Sequence, residues 1–83
     1  MEFEWDVRKS DRCLAERGFD FAYAIRAFFD PDRSVCPDDR WDYGEARFVL
    51  RGLIDDRLFV VVFTNRGGTI RIISARKANS SEV

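Results

Sequence analysis

The chain has 83 residues, 46% of them hydrophobic and 14% aromatic, at a formal net charge of −1. A chain this short forms one small domain and hides only about 60–65% of the surface its unfolded form exposes, while eight Phe and two Trp supply a core and argue against disorder. With no histidine, Ser–His triads and the usual zinc hydrolase sites are excluded, and Cys13 and Cys36, which lack C-x-x-C spacing, read as reduced thiols rather than zinc ligands.

Phe3 and Trp5 alternate with Glu2 and Glu4, a period of two that predicts a short first strand with one buried face. Asp6 is placed to cap a helix over residues 7–17, which Gly18 stops; Leu14 is its main inward-facing residue. A second helix is expected from the Asp20 cap to Phe29, where Asp30-Pro31 breaks it. Its Phe21, Ala24, Ile25 and Phe28 form an apolar stripe that packs on a sheet. Residues 30–44 hold both prolines and the acidic run Asp30, Asp32, Asp38, Asp39 and Asp42, and read as a long surface loop. That acidic spacing matches no calcium loop, so no metal site is expected. Trp41 and Tyr43 in this loop either close over the core edge or stack on bases.

Three antiparallel strands follow, Glu45–Leu53, Leu58–Thr64 and Thr69–Arg76, joined by turns at Asp55-Asp56 and Asn65-Arg66-Gly67-Gly68. The middle segment is apolar on both faces, which makes it the central strand. Glu45, Arg47 and Arg51 share one face of the first of these strands; Thr69, Arg71 and Ile73 share one face of the last. Arg76 has the opposite parity to Arg71 and joins it only if the strand bulges or has ended by Ala75. Asn79 and Glu82 have the spacing of a capping box, so a third helix is expected to begin there. The predicted class is therefore α+β: a short strand, two helices, a three-stranded meander and the start of a C-terminal helix.

Charge is unevenly spread. Residues 1–41 carry a net −3 and residues 42–83 a net +2, and twelve of the fourteen basic residues are Arg. Guanidinium groups bind phosphates in a bidentate way, so this bias suits a polyanionic ligand, although plain solvation accounts for the same count. RNA cleaves without a metal when its own 2′-hydroxyl attacks the adjacent phosphate, because the nucleophile is already held in place. The protein then has to stabilise charge. Arg47, Arg71 and Arg76 are the first candidates, with Arg51 and Lys77, and Trp41 as a stacking surface, in RNA binding. Glu45 is the candidate general base, or else a structural ion-pair partner of these arginines.

Particular residues carry a family resemblance. Phe3-Glu4-Trp5-Asp6 followed by Lys9, the helix pair meeting at Gly18-Phe19 and ending on Phe28-Phe29-Asp30-Pro31, the Gly44-Glu45-Ala46-Arg47-Phe48 strand start and the run Arg71-Ile72-Ile73-Ser74-Ala75-Arg76-Lys77-Ala78 resemble the BrnT toxins of type II toxin–antitoxin pairs over essentially the whole chain. The resemblance implies a RelE-like α+β domain, a ribonuclease that shuts down translation, and neutralisation by a BrnA-type antitoxin in a two-plus-two heterotetramer that represses its operon; the residues themselves lead one to expect no cofactor and a cytoplasmic location. This sequence has Glu16-Arg17-Gly18 where members often have Lys-His-Gly. It reaches Val83 where members continue into a helix with basic residues and a tyrosine, which leaves open a catalytically inactive, antitoxin-binding relative. A free-standing RNA-binding module is a third possibility.

Overall fold

In the computed structural model, which describes Met1–Val83, the local signals of the first half act as the sequence leads one to expect. Strand β1 (Glu2–Trp5) passes into helix α1 (Val7–Arg17). The Asp6 carboxylate accepts from the backbone N–H of Arg8 at 2.9 Å, satisfying one of the free donors of the first turn. Gly18 ends the helix at φ +84°, a left-handed conformation that Gly adopts without a Cβ penalty. The inward face differs from expectation. Ser10 and Cys13 are buried and Leu14 is half exposed, because the helix is pinned through Ser10 Oγ, which accepts from the Phe21 N–H at 3.0 Å.

The second helix is shorter than its apolar stripe indicates. Helix α2 (Phe21–Ala24), capped by Asp20, tightens into a 3₁₀ segment over Ile25–Phe29. Phe21, Ala24, Ala27 and Phe28 are buried, with Ile25 packed at the margin. Tightening brings the backbone onto the sheet: a Cβ at Gly52 would collide with the Ala27 carbonyl oxygen.

The sheet has five strands in the order β1-β5-β4-β3-β2, where β2 is Ser34–Asp38, β3 Arg47–Ile54, β4 Arg57–Arg66 and β5 Thr69–Lys77. It is mixed, with β1 parallel to β5 and the other pairs antiparallel. This corrects two expectations. The strands after Glu45 do not stand as a three-stranded meander but sit inside a larger sheet, and part of the expected 30–44 loop is a strand. Strand β2 lies at an edge, where Pro37 costs no ladder bond on its outer side. No third helix forms either. Glu82 does accept from the Asn79 N–H at 3.0 Å, and Asn79 Oδ1 from the Ser81 N–H, but Asn79–Glu82 is only a turn.

Strand β4 is central, as its apolar run requires. Its Phe59, Val61 and Phe63 join Leu50, Ile54, Ile72, Ala75, Phe19, Phe21 and Phe28 in the core beneath the helices. Edge-to-face rings, Phe19 on Phe59 and Phe28 on Phe63, fill it at about 5 Å between centroids. Both hairpin turns use positive φ, at Asp55-Asp56 and Gly67-Gly68, matching the right-handed twist of the strands they join. The helices cover one face of the sheet. The other face remains open, and it carries the arginines.

Candidate nucleic-acid interface

Side chains facing one another across neighbouring strands share a face, so the register defines the open surface row by row. One row reads Glu4, Arg71, Thr64, Arg47 and Asp38 from β1 to β2. A second reads Ser74, Val62, Val49 and Cys36, and a third Arg76, Val60, Arg51 and Ser34. Arg47 and Arg71 therefore stand on the same face with one strand between them, about 10 Å apart at the backbone. Arg51 and Arg76 flank Val60 in the same way, about 13 Å further along the strands.

Arg76 reaches this face through a bulge. Val62 pairs with Ser74 and Phe63 with Ile72, which leaves Ile73 without a partner. The extra residue reverses the alternation of β5, and Arg76 comes to lie on the side of Arg71. Ile73, expected to share the face of Thr69 and Arg71, is the bulged residue.

Most of these guanidiniums are met by carboxylates. Arg71 Nη1 donates to Glu4 Oε2 at 2.6 Å. Glu45 lies just before β3 and accepts from Arg66 at 3.1 Å and from Arg47 at 3.4 Å. Those contacts, Arg66 foremost, hold its carboxyl below the usual range, so Glu45 is suited to positioning Arg47 and poorly suited to accepting a proton. Arg76 grips Glu82 with both terminal nitrogens, at 2.6 and 2.8 Å. Arg51 has no carboxylate within 4.0 Å; its Nη1 lies 3.7 Å from Cys36 Sγ.

Asp38, Arg40 and Thr64, which sequence reasoning left out, adjoin these arginines, as does Tyr43, one of its two stacking candidates. Tyr43 lies beneath Arg47, whose guanidinium carbon is 4.0 Å from the ring centroid. Asp38, with a side chain only 2% exposed, accepts from Arg40 Nε and Nη2 at 2.8 and 3.0 Å and from the Tyr43 hydroxyl at 3.5 Å. Its carboxyl is held low, chiefly by Arg40. Thr64, on the row of Arg47, is buried and donates to the Ala46 carbonyl at 2.6 Å. The 39–46 loop is thereby folded against one end of the open face. The strand at Ser34–Asp38, hidden by its proline, was the signal needed to place Asp38 and Arg40 here.

Between the rows lies a depression of about 310 Å³ lined by Val49, Val60 and Val62, by Arg40, Arg51 and Arg76, and by the carboxylates of Asp38 and Asp39. One sequence candidate lies elsewhere. Lys77 pairs in register with core residue Phe59 and lines grooves on the helical side. Trp41 is 73% exposed, so of the two loop aromatics only Tyr43 packs inward.

An arginine-lined open face on a small mixed sheet defines an α+β protein with a surface whose charge suits a polyanion. Residues 5–82, nearly the whole chain, match the family described as the ribonuclease toxin BrnT of type II toxin–antitoxin systems. The chain belongs to that family, and membership implies an antitoxin partner. No curated protein matches it. No helix is long and apolar enough to cross a membrane.

Proposed function

We propose that this protein is a metal-independent endoribonuclease that works in the cytoplasm to inhibit translation, and that RNA lies across the open face of the sheet. The observation that carries the reading is the row Arg71, Thr64, Arg47, in which guanidiniums from two strands flank one central residue. In the reaction the 2′-oxygen bonds to the adjacent phosphorus and the bond to the 5′-oxygen breaks. The products are a 2′,3′-cyclic phosphate and a 5′-hydroxyl, and the proton lost from the nucleophile is balanced by one gained at the leaving oxygen. Arg47 and Arg71 would bear the charge that builds on the non-bridging oxygens, with Arg76 and Arg51 holding flanking phosphates. Glu4 and Glu45 neutralise and orient the guanidiniums until substrate arrives.

The partner implied by the family would be a BrnA-type antitoxin in a two-plus-two assembly, covering the same surface in a RelE-like fashion. Purified protein in excess chelator is expected to cleave single-stranded RNA, and Arg71→Ala or Arg47→Ala to lower the rate on the order of 100-fold. Cleavage that is absent, or equal in these variants, refutes the proposal.

One observation favours a second reading. Glu45 is engaged by two arginines, and an enzyme without an available base would be a co-repressing, antitoxin-binding relative. That reading requires expression of the toxin alone to leave growth unaffected; growth arrest rules it out.

A further inference from the structure

Glu82 is held as a phosphate would be. Two nitrogens of Arg76 meet its two oxygens in parallel, at 2.6 and 2.8 Å, and the Asn79 N–H adds a third donor at 3.0 Å. This fork geometry is shared by carboxylate and phosphate. Arg51 lies in register across Val60 from Arg76, and its charge also acts on Glu82.

The other arginine-paired carboxylates of the open face are less free to move, Asp38 among them in β2. Glu4 belongs to β1 and Glu45 adjoins β3, but Glu82 lies on a turn outside any strand or helix. The root of that turn is fixed, since Ala78 is buried and its N–H donates to the Leu58 carbonyl at 2.9 Å. Beyond Ala78 the turn is closed by its own bonds, Glu82 N–H to the Asn79 carbonyl and the Ser81 N–H and hydroxyl to Asn79 Oδ1. Apart from the Arg76 contact, it has no hydrogen bond to the sheet, so releasing that contact frees 79–82 as a unit.

We propose that Arg76, with Arg51 and Arg40, forms a phosphate subsite separate from the Arg47–Arg71 row, and that Glu82 occupies it in the free protein as an internal competitor. The ligand is a phosphodiester of bound RNA, so this rests on the ribonuclease reading above. Substrate enters by exchanging its phosphate for the Glu82 carboxylate. The cost of that exchange weakens binding of short or poorly seated RNA and leaves the chemistry at Arg47 and Arg71 untouched.

Two titrations test it. In the first, inorganic phosphate is added while the Arg76 Nε–H is followed by NMR in the intact protein. Glu82→Gln is expected to respond at several-fold lower phosphate than wild type; equal midpoints overturn the competition by Glu82, and no response in either protein overturns the subsite. In the second, fluorescence anisotropy measures a short single-stranded RNA whose 2′-hydroxyls are methylated, so that it binds without being cut. Glu82→Gln is expected to bind roughly 3- to 10-fold tighter, with a steeper salt dependence by about one phosphate contact, and the gain is expected to vanish in an Arg76→Ala background. An unchanged or weaker affinity, or a gain that persists without Arg76, overturns the competitor role. If phosphate behaves as expected but no variant binds RNA, the ribonuclease reading and RNA as the ligand fall, while the anion subsite and its occupation by Glu82 stand.

Discussion

Arg47 is restrained from several sides, with Tyr43 beneath it, Glu45 at its Nε and buried Thr64 beside it in register. A long side chain fixed in this way has lost its rotamer freedom before substrate binds, which is what charge stabilisation in a transition state needs. Tyr43→Phe keeps the ring and gives up only the 3.5 Å contact to Asp38. Its cleavage rate is expected to stay within about twofold of wild type, whereas Tyr43→Ala is expected to lose about tenfold, the equivalent of a cation–π contact of some 1–2 kcal/mol. Equal rates for the two variants would show that the stack does nothing for Arg47. Asp6, Asp30, Asp38 and Glu45 all have lowered carboxyl pKa values, and Glu82 is brought down to about 2 by Arg76 and the Asn79 N–H. A carboxyl whose folded value is depressed stabilises the fold above its unfolded pKa and loses that contribution as the pH falls through the folded one. Burial raises the Cys13 thiol, and there is no histidine. Thermal unfolding is therefore expected to be flat between pH 6 and 8 and to weaken progressively below about pH 5. A stability transition near pH 6.5 would contradict this.

At the scale of elements, the tightest meeting is between β3 and the 3₁₀ segment, where Gly52 lies against the Ala27 carbonyl. Gly52→Ala forces the segment off the sheet, and a destabilisation of about 1–3 kcal/mol is expected in chemical denaturation; a wild-type midpoint would mean that the segment yields freely. Caps and turns were legible in the sequence because each depends on a single local interaction, as with Asp6, Gly18, Asp20 and Gly67-Gly68. Strand β2 was not. Pro37 and the surrounding aspartates read as breakers, and only the edge position makes a proline acceptable there. The capping-box residues Asn79 and Glu82 were read correctly as bonding partners and wrongly as the start of a helix, since Arg76 holds Glu82 on the sheet.

For the molecule as a whole, placing both helices on one side leaves an open sheet face for function. That Arg47, Arg51 and Arg71 alternate outward was readable from parity; that their rows align was not, because register depends on both hairpin turns and on the Ile73 bulge. Asp38 and Arg40 were beyond reach for the same reason that hid β2, whereas Tyr43 was visible as an aromatic that closes inward or stacks, without its place under Arg47. The account stands on Arg47 and Arg71 acting together on one phosphate, and a double-mutant cycle on RNA cleavage addresses this directly. If both guanidiniums stabilise the same charge, Arg47→Ala and Arg71→Ala each cost on the order of 100-fold, and the double variant loses much less than the product of the two. Losses that simply multiply, or single variants that cut RNA at the wild-type rate, would contradict it.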